Sequence, residues 1–486
     1  MFACTPEDDA SHRSAGCLCH TPAFARLNAR LTEKFSRRSF VLGASASLGT
    51  FAAGVGGASG GAPAVSASPL VFTNVRVFDG KWDALRAGLR VLVEGNRIKA
   101  VEPAQGEVAG SAQIIDCGGR VLMPGLIDAH WHAMMAATPL AALLTADVGY
   151  LTLMAAGEAE RTLMRGFTSV RDMAGPSFSL KRAIDGGLVN GPRIWPSGAM
   201  ISQTGGHGDF RFPYEIPAAP NAPLSRGDAI GGGAIADGVD RVLTRAREQL
   251  MLGASQIKLA AGGGVASNYD PIDVSQYTEP EFRAAVDAAE NWGTYVAVHA
   301  YTPRAIQTAI RGGVRCIEHG HLMDEATAKL IAEKDIWLST QAFLDNEYAN
   351  KMPTPEGQAK ALQVYAGTET AYRFAKEMKL RTAWGTDLLF DPKMTANQGA
   401  ILTTLRRWYS PVEILQMATA TNAELLAMSG PRNPYPGKLG VVEEDALADL
   451  ILVDGDPIAD IKLIADPEKN FVLIMKDGRV FKNTLS

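Results

Sequence analysis

Six of the chain's eight histidines lie beyond residue 100, at His130, His132, His207, His299, His319 and His321. Five of these six stand at or just after the end of an apolar run that reads as a strand. His130 and His132 follow the run Val121 to Ala129. Residues two apart on a strand face the same side, so both imidazoles can reach one metal ion. Two satisfied interior histidines would show the same spacing. His299 and His319 close two successive runs separated by about 19 residues, room for one helix and its turns. Asp387 ends a later run, Thr382 to Asp387. A carboxylate close to several imidazoles is a plausible ligand and proton acceptor, although aspartate at such a position also caps helices.

Lys258 lies inside Ser255-Gln256-Ile257-Lys258-Leu259, where its charge must face the interior or be paired. A bare ammonium beside two cations would be repelled. A lysine carboxylated by CO2 is anionic and able to bridge them, and a buried lysine paired to an acid fits the spacing as well. Three features are softer. His207 lies in the glycine-rich Thr204-Gly205-Gly206-His207-Gly208-Asp209 and reads as a substrate or oxyanion contact, or as part of a plain loop. Tyr269 follows Lys258 by eleven residues, in the loop after that strand. A phenol and an imidazole can both donate to an anion; the alternative is that Tyr269 packs against its loop. His321 is a candidate substrate contact, a support behind His319, or exposed. Gly262-Gly263-Gly264-Val265 lacks the Lys-Ser/Thr of a phosphate-binding P-loop, so nucleotide binding is not expected.

These residues need a frame that brings strand ends together. From Pro124 to Tyr435 short apolar runs alternate with helical stretches such as Pro280 to Asn291 and Pro303 to Arg311. Strands alternating with helices imply βα units and a parallel sheet. About 300 residues suit an α/β fold of the (β/α)8 TIM-barrel type, whose functional side chains sit at the C-terminal ends of the strands. Both chain ends read as strands and turns: Leu70 to Phe78, Leu89 to Val93, Ala448 to Val453 and Phe471 to Met475. The expected organisation is therefore a leader over 1–67, a β domain over 68–123, a barrel over 124–435 and the rest of the β domain over 436–486. That β domain would be a small discontinuous β-sandwich.

The leader carries Ser36-Arg37-Arg38-Ser39-Phe40-Val41-Leu42, a twin-arginine pattern, then an Ala/Gly-rich stretch and small residues up to Ala67. Export to the periplasm or beyond is expected. Cleavage after Ala67 would leave 41 basic and 48 acidic residues, a net of −7, which gives no support for nucleic-acid binding. Only Cys117 and Cys316 would remain, so no disulfide scaffold is expected. The body of the chain holds no apolar run of membrane-spanning length.

The segments Pro124-Gly125-Leu126-Ile127-Asp128-Ala129-His130-Trp131-His132, Gly166 to Asp172, Ile257-Lys258, His299, Glu318-His319-Gly320 and Gly385-Thr386-Asp387 together resemble the amidohydrolase superfamily. So does the closing stretch from Gly440 to Pro457. The resemblance spans nearly the whole chain after the leader, in order. It is most similar to the imidazolonepropionase-like branch of Xaa-Pro and Xaa-Arg dipeptidases, which includes ochratoxin-hydrolysing amidases. That resemblance implies a binuclear site. His130 and His132 would hold one divalent ion and His299 and His319 the other, most simply zinc. Carboxylated Lys258 would bridge them, and Asp387 would be ligand and general base. The expected substrate is a small amide or dipeptide whose leaving amine carries a free carboxylate, received by His207 and Tyr269, and the expected assembly is a homo-oligomer. Two other readings remain open: a hydrolase of a cyclic amide such as an imidazolone or hydantoin, which Lys258 disfavours, and a non-catalytic binding protein on the same fold.

Overall fold

The computed structural model describes residues 68–106, 111–217, 222–349 and 351–485, so the expected leader over 1–67 lies outside the described residues. The described chain opens with five strands: β1 (Leu70–Val77), β2 (Arg86–Glu94), β3 (Arg97–Pro103), β4 (Gln113–Asp116) and β5 (Val121–Pro124). β1, β2 and β3 form an antiparallel meander. The first half of β1 pairs with β4 and its second half with β5, both in parallel, so the sheet forks there.

Strands and helices then alternate. β6 (Leu126–Trp131), β7 (Phe167–Asp172) and β8 (Arg193–Pro196) pair in parallel. β9 (Met200–Ser202) and β10 (Gly233–Ile235) form a short parallel flank. Five parallel strands follow: β11 (Ile257–Ala260), β12 (Val296–Ala300), β13 (Cys316–His319), β14 (Trp337–Thr340) and β15 (Thr382–Trp384). Hydrogen bonds at two seams close these strands into a TIM-type barrel of β6–β8 and β11–β15. The Ser255 amide donates to Pro196 O at 2.7 Å, and the Asp387 amide donates to His130 O at 2.8 Å. The second seam requires glycine at position 385, because a Cβ there would lie 2.2 Å from His130 N.

The helices cover the outside of the barrel. Helix Glu279–Asn291 begins where the Glu281 carboxylate accepts from the Thr278 amide at 2.8 Å, and it buries Phe282, Ala285 and Ala289. Helix Pro303–Arg311 starts at proline, whose missing N–H costs nothing in the first turn. Among the described residues, no helix is long and apolar enough to cross a membrane.

The chain then returns to the first sheet with β16 (Leu450–Val453), β17 (Phe471–Lys476) and β18 (Arg479–Asn483). β16 lies antiparallel to β5, which gives the order β18-β17-β16-β5-β1-β2-β3. Phe72, Val91 and Ile98 from one chain end share an apolar cluster with Leu452, Leu473 and Met475 from the other. The run Val121 to Ala129 reads as one strand in sequence but serves two sheets, β5 in the terminal sheet and β6 in the barrel.

Candidate active site

The barrel brings the sequence-predicted ligands together. His130 lies in β6 with His132 just beyond it, Lys258 in β11, His299 in β12, His319 at the end of β13, and Asp387 three residues after β15. All six line one cavity of about 130 Å3, which His207 also reaches. His319 and Asp387 leave their strands in left-handed backbone, with φ of 78° and 55°. Such backbone costs about 1–3 kcal/mol and persists where a side chain must point one way.

Hydrogen bonds fix which ring nitrogen each histidine leaves free. At the barrel centre the buried Arg171 donates to Glu318 Oε1 at 2.7 Å, to Ser339 Oγ at 3.1 Å and to Ala129 O. Burial disfavours the Glu318 carboxylate, but Arg171 and His130 outweigh it and hold the group well below the usual carboxylate range. The ionised Glu318 therefore accepts from His130 Nδ1 at 2.8 Å, leaving His130 Nε2 to face Asp387 Oδ1 at 3.3 Å. His299 Nε2 donates to Gly263 O at 3.0 Å, which frees its Nδ1. His319 Nδ1 lies 2.7 Å from Gln341 Oε1, which frees its Nε2. His132 Nε2 lies 2.9 Å from Asp387 Oδ1, and His132 Nδ1 is buried without a partner. Burial keeps His132, His299 and His319 below the ordinary histidine value, and neutral imidazoles are what a cation requires. Burial also opposes ionisation of Asp387, yet His130, His132 and His319 hold it well below its usual value.

Lys258 is 2% exposed, and among the described residues its Nζ has no hydrogen-bond or ion-pair partner. Burial pushes its ammonium down to about 8. No carboxylate lies within ion-pair distance of it among the described residues, although Glu318 and Asp387 favour its charge from farther off.

His207 stacks on His299 with ring centroids 4.0 Å apart, and its Nδ1 lies 2.7 Å from Ser267 Oγ. Its ring fills the place a side chain would take at Gly264, where a Cβ would fall 1.8 Å from His207 Nδ1. Two softer expectations need correction. Tyr269 does not line the cavity: it is 40% exposed and its hydroxyl donates to Arg211 O at 2.6 Å, so a carbonyl of the loop after β9 satisfies it. His321 does not line it either, because its buried Nε2 donates to Gln341 O at 2.9 Å. It thereby supports His319 through Gln341.

Two residues that sequence reasoning passed over face the cavity, Tyr301 and Gln341. Tyr301 is 3% exposed, packs 4.7 Å from the His299 ring, and has no hydrogen-bond partner for its hydroxyl among the described residues. It stands two residues after His299, just beyond the end of β12, the same spacing that singled out His130 and His132. Phe210, Phe343, Leu344, Met352 and Phe390 form apolar walls, and no arginine or glutamate among the described residues lines the cavity.

The donor set fits a divalent cation. One ligand atom each from His130, His319 and Asp387 lies within 4.8 Å of the others, and imidazole with carboxylate is the set that zinc favours. His132 and Lys258 line the same cavity, and His132 Nδ1 has no hydrogen-bond partner.

Residues 121–481 match the Amidohydrolase family. The ochratoxinase of Aspergillus niger is 33% identical over 381 residues, covering 74% of this chain and 76% of that protein. A prolidase solved in complex with N-methylphosphonate-L-proline superposes with a TM-score of 0.78 at 36% identity, over 86% of this chain and 100% of that one. A Xaa-Pro dipeptidase with methionine bound in its active site gives a TM-score of 0.74 at 28% identity, over the same shares.

Proposed function

The chain belongs to the amidohydrolase family and hydrolyses amide bonds, and from that premise we propose that its substrate is an N-acyl amino acid or dipeptide cleaved at a binuclear metal centre. His130 and His132 would hold one ion, and His299 and His319 the other. Asp387 and a carboxylated Lys258 would complete the set, with zinc favoured by the ligand types. The observation that carries this reading is Lys258, a desolvated amine among imidazoles that makes no hydrogen bond or ion pair among the described residues, Glu318 and Asp387 acting on its charge only from farther off. An ammonium is costly there, whereas a carboxylated Nζ would be an anion in a place suited to cations.

Bound ions would acidify a water molecule and polarise the amide carbonyl. The remaining steps fall to the chain's own residues. Asp387, fixed between the Nε2 atoms of His130 and His132, accepts the proton of the attacking water. The same carboxyl then gives that proton to the departing amine, so one group serves as base and acid. The apolar walls exclude bulk water and seat the acyl group. Ochratoxin-type amides are the first substrates to try, given the ochratoxinase relative.

The relay behind His130 can be tested apart from turnover. Glu318→Gln keeps the shape of the side chain but removes the charge that orients His130 and faces Arg171. Metal affinity is expected to fall about 10–100-fold, measured by competition with a chelator. Unchanged affinity would show that the relay has no part in holding the ion.

His207 and Tyr301 are assigned to the substrate's α-carboxylate. With no arginine on the cavity wall among the described residues, these neutral donors must satisfy it. A neutral C-terminal amide would leave a buried donor badly paired, at about 1–3 kcal/mol. The acid is therefore expected to be cleaved about tenfold or more faster than its carboxamide in kcat/KM. Equal rates would replace this reading with a broad aryl amidase.

A further inference from the structure

Helix Pro355–Glu377 passes beside the loop that follows β11, and Lys360 points from its second turn into that loop. Its ammonium donates to Gly264 O at 3.2 Å, Ser267 O at 2.9 Å and Asp270 O at 2.8 Å. An ammonium has three donors, and all three are spent on main-chain carbonyls of one seven-residue stretch. Among the described residues Lys360 has no carboxylate partner. Its ammonium is held by three carbonyl dipoles, as a bound cation would be.

The same loop holds His207 from several sides. Ser267 Oγ meets His207 Nδ1, and the bare Gly264 Cα leaves room for the ring. The Asp270 carboxylate accepts from the Gly264 amide at 2.8 Å and lies 3.7 Å from His207 Nδ1. Gln276 Oε1 accepts from the His207 amide at 3.1 Å. Val265 and Ala266, between the gathered carbonyls, line the cavity. The helix that carries Lys360 also contributes Val364 and Tyr365 to that cavity.

We propose that Lys360 is a positioning residue for substrate selection. It gathers the 264–270 loop so that Ser267 and Gly264 hold His207 over His299, without touching substrate or metal ligands. The proposal rests on the reading of His207 as a carboxylate contact. Losing the latch loosens the loop and the imidazole with it, so binding of the free acid suffers more than the chemical step.

The test uses the metal-loaded full chain with N-benzoyl-L-phenylalanine and its carboxamide, scoring benzoate release. Lys360→Met keeps the stem and removes the donors. KM for the acid is expected to rise about tenfold with kcat within about threefold, the preference for acid over carboxamide to shrink, and metal content to stay at the wild-type level. Lys360→Arg, which keeps a cation beside the carbonyls, should recover part of the loss. Amide hydrogen exchange over 262–276 should quicken in Lys360→Met, a readout available even if turnover is weak. His207→Ala separates the two claims. If it retains the acid preference, the carboxylate reading of His207 fails. If it loses that preference while Lys360→Met keeps wild-type KM and loop exchange, the latch is overturned and the carboxylate reading stands.

Discussion

Lys258→Ala is expected to remove about 10³-fold or more of turnover while the barrel stays folded. The residue makes no hydrogen bond or ion pair among the described residues, so its loss breaks no structural link. What it takes away is the anion proposed to sit between two cations. Metal-assisted polarisation supplies several kcal/mol of barrier lowering, and each 1.36 kcal/mol is a factor of ten. The cavity left behind would admit a short carboxylic acid such as formate, and part of the activity should return with added formate. Circular dichroism would confirm the fold, and elemental analysis should show reduced metal content. Wild-type turnover in the variant would end the bridging role.

Asp387→Asn should lower kcat by about 10²–10⁴-fold, the usual weight of a positioned proton-transfer group, with KM changed far less. The amide keeps an oxygen for His130 and His132 but accepts no proton at neutral pH. Loss confined to the transition state reduces kcat and kcat/KM together. Metal content should remain near wild type, because His130, His132, His299 and His319 all survive. A variant with wild-type kcat would move the base to another residue.

Much of this site is legible in the amino-acid order itself, because strand-end histidines report their own geometry. The period-two spacing of His130 and His132, and one βα repeat between His299 and His319, are local facts with direct spatial consequences. The terminal strands show the same alternation, and β1, β2, β16 and β17 fall where those patterns lie. What the order of residues does not carry is whatever depends on distant partners. Arg171, Glu318 and His130 form one relay although 147 positions separate the first pair and 188 the second. Only barrel closure brings them together. Tyr269 shows the converse. Its place in the right loop says nothing about direction, and the Arg211 carbonyl claims its hydroxyl. Tyr301 shares the two-residue spacing of the histidines, but a tyrosine in an apolar run reads as core until the cavity beside it is seen.

The central claim is a binuclear centre built on Lys258, and its most direct test is metal stoichiometry against activity. Apoprotein would be titrated with zinc while bound metal per chain and amide hydrolysis are followed on the same samples. Activity is expected to reach its plateau only near two ions per chain. Full activity with one tightly bound ion, and no gain from a second, would contradict the account.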